Sequence, residues 1–168
     1  MNSLKSRIAL SAALLAPVLL GASAPILDGA TPIVNGHGEW ETPIGTVGFE
    51  VSVVELPDGT LNGHGLSYLH TDDGNAWFHF DVTETMFIDG GLAVAGLITE
   101  TFNTPPHFLG SLTVLIIQDN GSGGASADRA LSAAGGPPWL TLAQFLSLVP
   151  LPPPEFWFPV ANGNFVIH

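Results

Sequence analysis

"GTVGFEVSVVELPDGTLNGHGLSYLH", Gly45 to His70, is the stretch whose reading decides the fold. Val47, Phe49, Val51 and Val53 alternate with Thr46, Glu50 and Ser52, the period of a strand with one greasy face. "LPDGTL" at Leu56–Leu61 interrupts the run, and Asp-Gly accepts the positive φ that a hairpin turn needs. Leu61–His70 then resumes as a second strand.

The same grammar extends in both directions. Strands are predicted over Ile33–Trp40, Gly45–Glu55, Leu61–His70, Ala76–Glu84, Leu92–Thr99, Leu109–Gln118 and Asn164–His168, with a shorter one near Met86–Ile88. "TDDGN" at Thr71–Asn75 is the next hairpin turn. In "AWFHFDVTE", Ala76, Phe78, Phe80 and Val82 face one way, and Trp77, His79, Asp81 and Thr83 the other. "LGSLTVLII" is apolar on both faces, which places it centrally or under a cap. The fold class is therefore all-β: a single antiparallel β-barrel or sandwich of about 7–8 strands. The terminal "NFVIH" is expected to pair with the first strand, whose edge is otherwise free, and so to close the barrel.

Ser132–Pro159 departs from this pattern. "GGPPWLTLAQFLSLV" suits one short apolar helix near the C-terminus, with Pro138 in its first turn, and "PLPPPEFWFP" a stiff extended segment. Trp139 to Val149 carries more large apolar residues than one helix stripe can bury. Trp139, Leu142, Phe145 and Leu148, with Trp157 beyond them, are the candidate ligand- or partner-binding residues of a hydrophobic lid.

The N-terminus has another character. Lys5 and Arg7 precede an apolar run broken by Pro17, and Ala22-Ser23-Ala24 supplies a small-residue cleavage site. Residues 1–24 read as a secretory signal peptide and 25–168 as the β-domain. The run is shorter than the ~20 residues of a bilayer span, so no transmembrane segment is expected after cleavage. The expected location is outside the cytoplasm, secreted or periplasmic. There are no cysteines, so core packing must hold the domain without disulfides. Cleavage leaves one cation, Arg129, against fifteen carboxylates. Nucleic acid is excluded as a partner, because phosphate binding needs clustered Lys and Arg.

Two sets of side chains invite a metal reading. In "QDNGSGGASADR", Gln118–Arg129, the oxygens of Asp119, Asn120 and Asp128 are candidate calcium ligands, but hard-cation sites take six to eight oxygens and this loop offers fewer. Turn formation with a local ion pair or cap at Asp128 and Arg129 is the simpler reading. His79 and Asp81 share a strand face and are candidate ligands for a transition metal. Neither His-x-His nor His-Glu-x-x-His occurs, and no Ser sits in a Gly-x-Ser-x-Gly elbow. The sequence therefore favours a non-enzymatic protein without a cofactor, binding a small apolar molecule or a protein. The alternatives are an enzyme with a His/carboxylate site in the barrel mouth and a structural envelope or matrix component.

"VNGHGEW", "GTVGFEVSV", "GLAVAGLI", "LTVLIIQDNGSG" and "NGNFVIH" follow one another along the chain. In this order they resemble a family of small exported bacterial β-proteins of unknown function, with an initial Gly-x-Gly strand, an Asp-Asn-Gly turn and a terminal Gly-Asn-(apolar)-x-(apolar)-His strand. The resemblance implies a compact β-barrel or sandwich and no established activity. It also implies an alternating strand after Asp128, where "RALSAAGGPP" is poor strand material. The Trp139–Phe158 segment is particular to this chain.

Overall fold

The computed structural model describes residues 29–89, 91–121, 128–153 and 156–168. The signal-peptide reading of residues 1–24 lies outside the described residues, as does the middle of the 118–129 stretch.

Nine strands among the described residues form one antiparallel sheet that curls into a half-barrel. They are β1 (Thr31–Thr42), β2 (Gly45–Glu55), β3 (Leu61–Thr71), β4 (Gly74–Ile88), β5 (Gly91–Phe102), β6 (Leu112–Gln118), β7 (Arg129–Gly136), β8 (Phe158–Pro159) and β9 (Asn162–Ile167). The order across the sheet is β8-β7-β6-β5-β4-β3-β2-β1-β9, a meander whose last eleven residues supply both edges. Phe158 and Pro159 pair with Ala130 and Arg129 of β7, and β9 pairs with β1 from Glu39↔Asn162 to Val34↔Ile167. The expected pairing of last strand with first is present, but β9 is itself an edge of the sheet, so it extends the half-barrel and does not close a barrel.

Local chemistry explains the turns. At Leu56–Thr60, Gly59 takes φ +82°, and the Asp58 carboxylate accepts from the Thr60 N–H at 2.9 Å and its hydroxyl at 2.6 Å. Those two bonds hold the Asp58 carboxyl below the usual carboxylate range. At the next turn, Thr71 pairs with Gly74 and donates its hydroxyl to the Gly74 carbonyl at 2.8 Å.

The concave face is packed with aromatic and branched side chains. Trp40 stacks on Phe49 at 5.6 Å, Phe49 meets Phe78 edge-on at 6.4 Å, and Phe80 lies over Gly65, where a Cβ would come within 2.1 Å of the ring. Leu92, Val94, Leu115, Ile117 and Phe165 complete this core. The opposite face of β5 and β6 is buried too, as the doubly apolar run predicts: Ala93, Ala95, Leu112, Val114 and Ile116 form a second core.

Several boundaries differ from expectation. Arg129–Gly136 is a strand, β7, despite its small residues, because β6 offers an almost wholly buried neighbour to pair with from Gln118↔Arg129 onward. Leu109–Ser111 is not strand: a 3₁₀ turn at Pro106–Phe108 precedes it, and β6 starts at Leu112. Met86–Ile88 joins Ala76–Glu84 in one long β4. The helix, α1, covers only Leu142–Leu148, since Thr141 is its N-cap and the Pro137-Pro138 pair stays outside.

Two bulges organise the outer face. Phe80 pairs with Ile98 but His79 pairs with Glu100, so Thr99 is an extra residue in β5. Val82 pairs with Gly96 but Glu84 with Ala95, so Thr83 is an extra residue in β4. Each extra residue reverses the alternation beyond it. Glu100 and Phe102 thereby turn outward beside His79 and Trp77, and Glu84, Met86 and Ile88 turn outward toward the helix.

Candidate functional site

The lid is built on the outer face of β4–β7. Thr141 and Gln144 form a capping box: the Gln144 N–H donates to the Thr141 hydroxyl at 3.2 Å and the Thr141 N–H to the Gln144 side chain at 2.9 Å. The Glu84 carboxylate accepts from the Leu142 N–H at 3.0 Å, taking another unpaired donor of the first turn. Leu142, Phe145 and Leu146, spaced i, i+3, i+4, form the stripe that packs on the sheet. Ala93 and Ala95 leave room for this approach, and Met86 and Ile88 flank it.

The predicted lid residues therefore divide. Leu142 and Trp157 are buried in the second core, and Phe145 is half-buried against it. The Trp157 indole donates to the Pro152 carbonyl at 2.8 Å, and Arg129 donates to the Trp157 carbonyl at 3.2 Å, so this Trp anchors the Pro-rich segment. Trp139 is 78% exposed and Leu148 67%, with Val149 and Phe156 also exposed. The lid lies directly on the sheet.

The ends of the Gln118–Arg129 stretch sit at the seam of the half-barrel. Asp128, 3% exposed, accepts from the Phe165 N–H at 2.9 Å through one carboxylate oxygen and from the Asn120 N–H at 3.2 Å through the other. Asp119 accepts from the Ile167 N–H at 3.0 Å and the Gly121 N–H at 2.8 Å. Phe165 and Ile167 are alternate residues of β9, whose N–H groups point away from β1. The two carboxylates thus stand in for the ladder of a missing neighbour strand. The Asp128 carboxylate reaches across the seam to β9. Among the described residues, no group of three or more His, Asp or Glu side chains comes together in a geometry that could hold a metal ion.

His79 and Asp81 lie on the convex outer face, not in a barrel mouth. Register sets them in a lattice of pairs: His79 faces Glu100, His64 faces Asp81, and His37 faces Glu50. His70 contacts the Asn75 side chain at 2.8 Å. Between these pairs runs an aromatic row, Tyr68↔Trp77↔Phe102, on three adjacent strands. Trp77 lies 5.8 Å from Phe102 and 5.2 Å from His79, and Tyr68 5.0 Å from His70. The Tyr68 ring covers Gly48, where a Cβ would come within 2.1 Å of it, and its hydroxyl donates to Glu39 at 2.6 Å. Burial first, and then the Glu39 carboxylate, raise the Tyr68 pKa above the ordinary tyrosine value.

Sequence reasoning missed the Thr141-x-x-Gln144 capping box, a signal open to inspection, and Glu100 and Phe102, whose outward position depends on the Thr99 bulge. Fold and site together define a filled antiparallel half-barrel with an apolar lid on one part of its outer face and a polar-aromatic strip on another. No family model, curated protein or solved structure matches the chain. Among the described residues no helix is long and apolar enough to cross a membrane.

Proposed function

We propose that this is an exported, non-enzymatic binding protein that docks a protein partner on the outside of its lid, through Trp139 and Leu148. One observation carries this reading: large apolar side chains stay exposed on a segment whose other face is firmly packed. Covering each is worth about 1.5–3 kcal/mol, so their exposure favours association. The aromatic core fills the concave face, and the lid rests directly on the sheet, which supports a surface partner over an enclosed apolar molecule. The enzyme alternative calls for a recess around His79 and Asp81, and both are exposed on the convex face. A filled interior also suits a structural envelope component, which would lack a discrete partner.

The test is the double variant Trp139→Ser, Leu148→Ser. In the parent, crosslinking and sedimentation in the native host should show an association with a partner protein; in the double variant melting should hold and that association should disappear. Unchanged association would remove the lid from the binding function. Export with cleavage after Ala24 predicts Pro25 as the N-terminus, and an intact mass retaining Met1 or Asn2 would contradict it.

A further inference from the structure

We propose that the outer face of β1–β3, with the adjoining Trp77–Asp81 and Glu100–Phe102 parts of β4 and β5, is a binding platform for a neutral polysaccharide, separate from the lid. Tyr68, Trp77 and Phe102 occupy one register row on adjacent strands, which lie about 4.8 Å apart. Trp77 and Phe102 stack on each other at 5.8 Å, so an extended glycan laid across the strands would rest its C–H faces on the ridge that this pair forms with Tyr68. A pyranose offers a flat C–H face to an aromatic surface and directs its hydroxyls outward from the ring edge. On this face the groups beside the aromatic row are His79 with Glu100 and, farther along, His37 with Glu50. Each pair combines an imidazole, donor and acceptor in its neutral form, with a carboxylate acceptor, matching hydroxyl groups that both give and take hydrogen bonds.

The backbone is shaped to assemble this row. Strict alternation from buried Ile98 would send Glu100 and Phe102 into the concave core; the Thr99 bulge turns both outward instead, leaving Phe102 50% exposed beside Trp77. Bulges re-aim side chains at functional surfaces. Gly48 lets the Tyr68 ring lie over the backbone of β2, and the bond to Glu39 holds it there.

Charge selects the ligand class. β1–β5 contain no Lys or Arg, and the strip carries Glu39, Glu50, Asp81 and Glu100. Anionic glycans would be repelled. A cationic peptide would meet an imidazole opposite three of those carboxylates, an arrangement better matched to hydroxyls than to ammonium groups.

The experiment uses the secreted protein against microcrystalline cellulose, chitin, a soluble neutral β-glucan and a galactomannan, with alginate and polylysine as charged probes. Retention by at least one neutral polysaccharide is expected, persisting in about 0.5 M NaCl, where exposed charge attraction is screened. Trp77→Ala with Phe102→Ala should weaken it by about tenfold or more. Glu100→Gln with Phe102→Ser alters only exposed side chains, and should weaken binding while the melting curve holds, which separates recognition from folding. The Trp139/Leu148 variant should bind the polysaccharide normally. Binding to none of the four polymers, binding indifferent to the strip variants, or salt-labile binding to polylysine alone would each overturn the proposal.

Discussion

Replacing Asp128 with alanine removes a carboxylate that closes the seam of the half-barrel. The Phe165 N–H, 2.9 Å from it, belongs to a fully buried residue and would lose its acceptor in a site with little access to water. Hydrogen bonds to a charged group contribute about 1.5–3 kcal/mol net. The longer bond from Asn120, at 3.2 Å and partly exposed, adds a smaller amount. The expected loss for Asp128→Ala is therefore about 2–4 kcal/mol. Asp128→Asn should fall between the two, because its amide has one oxygen for two N–H donors and turns an N–H₂ toward the other. Urea unfolding would read this as a lower midpoint at unchanged slope. Amide hydrogen exchange would show faster exchange at Phe165 in β9 and little change in β3. A variant within about 0.5 kcal/mol of the parent, with Phe165 still protected, would refute the latch; that is the scale of an inconsequential surface change.

Leu142→Ala should cost about 2–5 kcal/mol, since that side chain is fully buried, whereas Leu148→Ser should change thermal stability by about 0.5 kcal/mol or less. Deleting Asn164–His168 should abolish cooperative unfolding, because it strips β1 of its outer neighbour and removes the core residue Phe165; a truncated protein melting like its parent would exclude that role. Tyr68 is the sole tyrosine, so ultraviolet absorbance titration reads it alone. Its ionisation should occur above the ordinary value of about 10. The folded state favours the protonated hydroxyl, so this stabilisation is complete below the ordinary pKa and is lost as pH rises through the raised one. Glu39→Gln should bring the transition down only part of the way, because burial is the larger cause.

The sequence by itself determined the all-β class, the order of the hairpins and the inward side of β2 and early β4. Those features rest on period-two alternation and Asp-Gly turns, which are local and carried by adjacent residues. It also placed β9 beside β1, from the need to cover a free edge. The doubly buried character of β6 was legible for the same reason, as a run apolar on both faces. Arg129–Gly136 was not legible as a strand, because pairing with β6 outweighs the weak preference of small residues. Nor was the split within the lid: Leu142 and Phe145 face the sheet while Trp139 and Leu148 do not, a matter of where Thr141 starts the helix and how Ala93 and Ala95 receive it. Thr83 and Thr99 show the limit most sharply. Nothing in a threonine between alternating neighbours marks it as a bulge, since the extra residue is defined only against the strand opposite. Yet those two positions turn Met86 and Ile88 under the lid and Glu100 and Phe102 onto the outer strip. Likewise Asp119 and Asp128 look like loop carboxylates in the chain and become backbone acceptors only when the curl of the sheet brings β9 to them.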